Sequence, residues 1–281
     1  MKSNFQITDK IEENMMQEDT YFNEEDKLIY CSNCHTPRQH RVRWNEKELT
    51  PTIKCHCQKE AYEKQEAKRK QQEFLLQQVA QLKANGLQDK ASWDYRFAND
   101  KGWNPEIQIA HDYVAHWKEM KEKSLGLLLW GNVGTGKTFF AGCIANALLD
   151  EGISVLMTNF SRILNTLTGM YSEDRNKFID GLHKYELLII DDLGIERNSE
   201  FALEQVFHVI DSRYRSKLPL IVTTNLTLDE MKHSKDLAHS RIYDRVLERC
   251  VPLKINRQNI RQLNADKHMQ EIRKLFYSQE T

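Results

Sequence analysis

The feature that most limits how this chain can fold is a strand, a glycine-rich loop and a helix in immediate succession. Residues 125–149 read LGLLLWGNVGTGKTFFAGCIANALL. An apolar run of strand length ends at Gly131, and a helix-forming run opens near Lys137. Between them, Gly131-Asn132-Val133-Gly134-Thr135-Gly136-Lys137-Thr138 matches G-x-x-x-x-G-K-[ST]. The glycines let the backbone bend so that successive N–H groups converge on a phosphate. Lys137 adds a point charge for the β and γ phosphates, and the Thr138 hydroxyl is a Mg²⁺ ligand. The helix that follows directs its positive end at the same anion. The expectation is an ATP and Mg²⁺ site set into an α/β sheet.

The rest of the chain from about residue 90 fits that frame. ISVLMTNF, ELLII (186–190), LPLIVTTN and VPLKI read as further strands. FALEQVFHVIDSRYRS and SRIYDRVLERC read as helices, and IQIAHDYVAHWKEMKEK (107–123) as one amphipathic helix. Strands alternating with helices imply a parallel sheet covered on both faces. ELLIIDD then places two carboxylates at the C-terminal end of a buried strand, where ligands bind in open α/β sheets. Asp191 is expected to hold Mg²⁺ through water, and Asp192 to orient and activate the attacking water. Without the upstream loop the same pair would merely cap a strand. Thr223-Thr224-Asn225 ends the next strand, so Asn225 can hold the hydrolytic water or sense the γ-phosphate. Arg241 and Arg245 lie four apart on one helical face. An arginine reaching a neighbouring subunit's γ-phosphate would stabilise transition-state charge in trans, although the spacing also fits a solvated basic face.

The N-terminal part is different in kind. Residues 1–27 hold eight Asp or Glu against three Lys and show no sustained period, which suggests a flexible tail or docking segment. Cys31, Cys34, Cys55 and Cys57 follow as C-x₂-C and C-x-C with twenty residues between the pairs. Four thiolates so spaced can close a tetrahedral, structural Zn²⁺ site, with His35, His40 and His56 close enough to replace one of them. Residues 59–85 lack Gly and Pro, and Gly86 ends them, which predicts a linking helix. Arg38, Arg41 and Arg43 beside Trp44 mix charge with an aromatic ring, as nucleic-acid surfaces do. An ordinary solvated surface has the same composition. Net charge is −1, so any basic surface is local. No stretch is long and apolar enough to span a bilayer, and the start lacks a secretory segment. A cytoplasmic location follows as an expectation, in which clustered cysteines point to metal.

The run GLLLWGNVGTGKTFFAGCIANALL, then LLIIDDLG, LIVTTNL and SRIYDRVLERC, resembles the DnaC/DnaI-type helicase loaders and their IstB-like relatives, AAA+ ATPases of the DnaA-related clade. The resemblance covers about residues 90–262. It implies that Asn225 is the sensor-1 residue and Arg241 the trans-acting arginine finger, with Arg245 second. It implies that residues 161–184 form the clade's extra helical element, facing single-stranded DNA. ATP would then lie between subunits, so the chain would self-assemble through its ATP site. The cysteine module resembles in outline the N-terminal zinc module through which DnaI-type loaders contact a DnaB-type replicative helicase. The implied organisation is a tail (1–27), a zinc-binding module (28–58), a helical linker (59–89) and an AAA+ ATPase domain (90–281). Two departures stand out. The acidic pair is Asp-Asp where many AAA+ proteins have Asp-Glu, and a full C-terminal lid is not evident, with Arg261 a weak stand-in for its arginine. Two other functions compete with the loader: a transposition helper ATPase like IstB, and a nucleotide-switched adaptor with little hydrolysis.

Overall fold

The computed structural model describes residues 19–102, 105–194, 199–256 and 259–277. The chain divides into two compact units, Met1–Leu76 and Gln77–Thr281. Most of the expected acidic tail, residues 1–18, lies outside the described residues.

In the first unit, β1 (Thr20–Asn23) pairs antiparallel with β2 (Leu28–Cys31), and β3 (Val42–Trp44) with β4 (Lys47–Leu49). The β3–β4 turn is Asn45-Glu46, both at positive φ (43° and 62°), the conformation that a two-residue hairpin requires. Residues 20–23 were expected to belong to the tail. They form a strand instead, because their backbone pairs with the strand that carries Cys31.

Helix α1 (His56–Gly86) starts three residues before the expected 59 and takes Cys57 into its first turn. Its end is not a free linker. Lys83 is buried against Asp150, with 2.5 Å between Nζ and Oδ1. A Cβ on Gly86 would meet the Val155 carbonyl at 2.1 Å. The second unit therefore takes in the last turns of α1 as well as residues from 90 onward.

The second unit is a five-stranded parallel sheet. Its strands are β5 (Gly126–Trp130), β6 (Val155–Asn159), β7 (Leu187–Leu193), β8 (Leu220–Thr224) and β9 (Cys250–Lys254), in the order β6-β7-β8-β5-β9. Period-two alternation splits each central strand between two cores. Leu128, Leu188 and Ile190 face α5 (Phe160–Thr168), α6 (Ser172–Gly181), α7 (Glu200–Arg215) and α9 (Leu237–Arg249). Leu127, Leu129, Leu187 and Ile189 face α2 (Ile107–Ala115), α3 (Trp117–Glu122) and α4 (Lys137–Asp150). The short α8 (Leu228–Lys232) opens with a capping box of Thr227 and Glu230, and α10 (Ile260–Tyr277) follows the last strand.

The single helix expected over 107–123 is two. His116 leaves the helical region (φ −104°, ψ 22°), and its ring bonds back to the Asp112 carbonyl, ending one helix and starting the next. Among the described residues no helix is long and apolar enough to cross a membrane.

Candidate functional site

The glycine-rich loop joins β5 to α4. Gly134 and Gly136 sit at φ 78° and 95°, which side chains rarely tolerate. At Gly134 space adds a second constraint, since a Cβ would lie 2.0 Å from Asn259 Oδ1. Gly136 caps α4 without offering a side-chain acceptor, so the first N–H groups of a 14-residue helix remain for an anion. Thr135 closes the loop by donating to the Asn132 carbonyl at 2.9 Å.

Lys137 is 5% exposed. Its ammonium donates to Asn132 O and Asn225 Oδ1, both at 2.8 Å, and to Gly131 O at 3.0 Å. Burial lowers its pKa, against the pull of Asp192 and Asp191. Asn225, at the end of β8, is thus brought to the ammonium from 88 residues away.

The Thr138 hydroxyl donates to Asp191 at 3.0 and 3.2 Å. Neighbouring oxygens around an octahedral Mg²⁺ lie about 3 Å apart at its usual bond length, so this donor pair fits the ion. Thr223 donates to Asp191 Oδ1 at 2.6 Å and accepts the Asp192 N–H at 2.9 Å, linking both acids to β8. Burial raises the Asp191 pKa despite those hydrogen bonds, and a bound cation would reverse that cost.

The two acids do not simply follow the strand. The β7–β8 register shifts between Ile190 and Leu193, and Asp192 turns to φ 59°. Such a residue costs roughly 1 kcal/mol in the left-handed region, which the Thr223 bond offsets. The effect of a bulge is to re-aim side chains. Here Asp192 lines the main cleft, while Asp191 borders the smaller pocket behind Thr138.

The main cleft has a volume of about 500 Å³, the size of a small-molecule site. Beside the loop, its walls include Tyr95, Asn99, Lys101 and Arg261. Of these only Arg261 was singled out from the sequence, as a weak candidate. It arrives because the start of α10 docks on the loop, with the Ile260 N–H donating to the Gly134 carbonyl at 2.9 Å. Tyr95 is held by Asn146, whose amide donates to the carbonyls of Ser92 (2.8 Å) and Tyr95 (2.9 Å). Gly142 makes room for the ring, since a Cβ there would lie 2.5 Å from Tyr95. A glycine inside a helix costs up to about 1 kcal/mol, and that was the only sequence signal for this wall.

Arg241 and Arg245 project from α9 and do not border this cleft. Arg241 is exposed, its guanidinium 4.4 Å above the Phe207 ring. Arg245 is partly buried, with Nε 2.7 Å from Asp211 Oδ1. The 161–184 segment contains most of α5, then α6 and a 3₁₀ turn (Leu182–Lys184), with Tyr171 85% exposed between the helices.

In the first unit the Cys31, Cys34, Cys55 and Cys57 sulfurs all lie within 4.8 Å of one another. The Cys31–Cys57 separation is 4.0 Å. Sulfurs around a tetrahedral Zn²⁺ lie about 3.8 Å apart, so the donor set fits. The candidate histidines are not part of this group; His35 turns instead to the Tyr21 hydroxyl at 3.4 Å. The Thr36 hydroxyl pulls the Cys34 thiol down to about 5, whereas the hydrogen bond to Cys34 pushes Cys57 up to about 12. Burial raises the Cys55 thiol as well, so Cys34 forms a thiolate readily while Cys55 and Cys57 need a cation to neutralise them. In the basic run, Arg41 pairs with Glu48 at 3.5 Å and Arg43 lies opposite Glu48 across the hairpin, while Trp44 stays 68% exposed.

Known proteins resemble part of this chain. The replicative helicase loader DnaI of Bacillus subtilis (strain 168) is 27% identical over 169 residues, covering 55% of this chain and 53% of DnaI. The replicative helicase loader DnaC of Escherichia coli (strain K12) is 29% identical over 163 residues, covering 57% of this chain and 64% of DnaC. These matches span less than two thirds of either relative. A crystal structure of DnaI superposes with a TM-score of 0.51 at 26% identity, covering 61% of this chain and 93% of that one. The sheet and its flanking helices are accordingly of the AAA+ type. The model of the family described as IstB-like ATP binding protein matches residues 54–268, which contain the whole nucleotide cleft. With its phosphate loop, acidic strand end and polar β8 end all inside that match, the chain belongs to the IstB-like ATP binding protein family.

Proposed function

We propose that this chain is an ATP-dependent loader of a DnaB-type replicative helicase. The observation that carries the reading is the meeting at the phosphate loop of two hydrogen-bonded pairs, Lys137 with Asn225 and Thr138 with Asp191. It occurs in a chain whose relatives include two named helicase loaders. In this reading the loop N–H groups and the start of α4 cradle the phosphates, and Lys137 exchanges its carbonyl partners for phosphate oxygens. Mg²⁺, when bound by Thr138 and Asp191, would neutralise charge on the β and γ phosphates. Asp192 orients the attacking water, and Asn225 holds the γ side of the cleft. Single-stranded DNA meets the α5–α6 element, where Tyr171 is exposed. The cysteine module, closed by structural Zn²⁺, grips the helicase.

The test is co-elution of the full chain with a replicative helicase hexamer, with and without a zinc chelator. A complex that chelation abolishes is the expected result. No complex under any nucleotide condition would overturn the loader reading.

Arginine from a neighbouring subunit completes the site. Arg241→Ala should leave ATP affinity unchanged and lower assembly-dependent kcat by about 10³-fold or more. If Arg245→Ala has that effect and Arg241→Ala does not, the finger is Arg245.

A second reading, a transposition helper, is favoured by the IstB-like description of the family model. It predicts binding to a transposase and duplex DNA in place of a helicase. The short Asp192 side chain keeps a third in view, an adaptor that binds nucleotide as a switch. Turnover stimulated by DNA or by a partner would exclude it.

A further inference from the structure

We propose that Phe207 and Asp211 on α7 are positioning residues for the α9 arginines, Phe207 beneath both Arg241 and Arg245 and Asp211 bound to Arg245 alone of the two, and that they hold these side chains in place for a neighbouring subunit's phosphates. The inference rests on the trans-arginine reading above and adds what orients those side chains. Both guanidinium groups lie over one ring, Arg241 at 4.4 Å and Arg245 at 4.6 Å from the Phe207 centroid. One turn along α7, Asp211 is 9% exposed and spans two arginines: Oδ1 to Arg245 Nε at 2.7 Å and Oδ2 to Arg215 Nε at 2.8 Å.

The geometry is selective about which atoms it uses. Asp211 takes only the Nε–H of Arg245, the donor nearest the stem. Of the Nη fork that recognises phosphate, Nη1 has a long contact, 3.4 Å to the Arg241 carbonyl. A cation with its stem fixed and its centre over a ring has few orientations left, so little freedom remains to be lost when a phosphate arrives.

These contacts are additional to those that join the two helices. Val206, Val209 and Ile210 of α7 share a core with Ile242, Tyr243 and Val246 of α9. Phe207 is only partly buried at the edge of that core. A leucine at 207 keeps an apolar contact there, in a smaller side chain, and lacks the π face.

The experiment compares Phe207→Leu, Phe207→Tyr, Asp211→Asn and the double variant Arg241→Ala/Arg245→Ala. Each is measured for ATPase kcat and KM at rising chain concentration with single-stranded DNA. ATP affinity of the dilute chain and the unfolding midpoint are the controls for folding. Phe207→Leu and Asp211→Asn should each lower kcat at least about tenfold with KM unchanged, as expected for a misplaced group. Phe207→Tyr, which keeps the ring, should restore kcat. Loss of turnover in the double variant with undiminished kcat in both Phe207→Leu and Asp211→Asn would overturn the platform alone. Undiminished turnover in the double variant would overturn the trans-arginine reading and the platform with it. If Phe207→Leu falls in midpoint as well as kcat, Asp211→Asn decides: unchanged kcat there overturns the platform.

Discussion

Replacing Lys137 with alanine is expected to weaken ATP binding by about 100-fold or more, while the chain stays folded. The ammonium is held by three oxygens, from Gly131, Asn132 and Asn225, in a position 5% exposed. A hydrogen bond involving a charged partner contributes about 1.5–3 kcal/mol, and 1.4 kcal/mol is tenfold in affinity. Loss of two such bonds to phosphate therefore gives the stated range. Effects on folding run the other way. Burial already lowers the Lys137 pKa, so removing the charge also removes a desolvation cost. That offsets the acceptors left without a donor, which water entering the cleft can reach. Titration calorimetry with ATP and Mg²⁺ checks affinity, and a thermal melt checks the fold. Unchanged affinity in a folded variant would remove the nucleotide assignment of the cleft.

Removal of metal from the first unit is expected to unfold it. Among the described residues ahead of α1, the buried apolar side chains are Cys31 and Cys55. Two short hairpins without a core are not stable alone. Structural zinc binding contributes about 10 kcal/mol or more in small domains, enough to decide the outcome. Amide exchange should show protection at Cys31, Arg38 and Ile53, whose N–H groups bond at 3.0, 2.7 and 2.7 Å, and chelation should abolish it. ATP affinity should not change, since every residue of the nucleotide cleft lies in the second unit. Acid should act as the chelator does, because falling pH returns protons to the sulfurs and releases the metal. Protection that survives chelation, or a chain that carries no zinc by elemental analysis, would leave the four cysteines without this role.

The nucleotide loop was legible because its chemistry is local. Eight consecutive residues carry the backbone bends, the cation and the hydroxyl, and the strand before and helix after follow from short apolar patterns. Asp191 and Asp192 were legible for a related reason, since a buried strand that ends in two acids marks the ligand-binding end of a parallel sheet. The bulge that separates their directions was not. It depends on Thr223 standing beside them in β8, 31 residues from Asp192.

Other features depended still more on distant contacts. The wall of the cleft at Tyr95 is set by Asn146, more than 50 residues away. Arg261 borders the cleft only because α10 docks on Gly134. The first strand of the cysteine module lies in a stretch that reads as an acidic tail, and only pairing with β2 makes it a strand. Arg213, 2% exposed, reads as one more charge on a helix, yet it donates to the carbonyls of Tyr185, Glu186 and Pro219 and ties the starts of β7 and β8 together.

The sequence by itself thus determined the alternation of strands and helices, the phosphate loop, the acidic strand end and the four clustered thiols. The first three are specified by neighbours within a few positions, and the thiols by two close pairs twenty residues apart. Tertiary structure decided where Asp192 points, what walls the cleft, and which groups surround Arg241 and Arg245. Those depend on side chains brought together from remote positions, and local propensity carries no record of which remote backbone groups a buried polar side chain will satisfy.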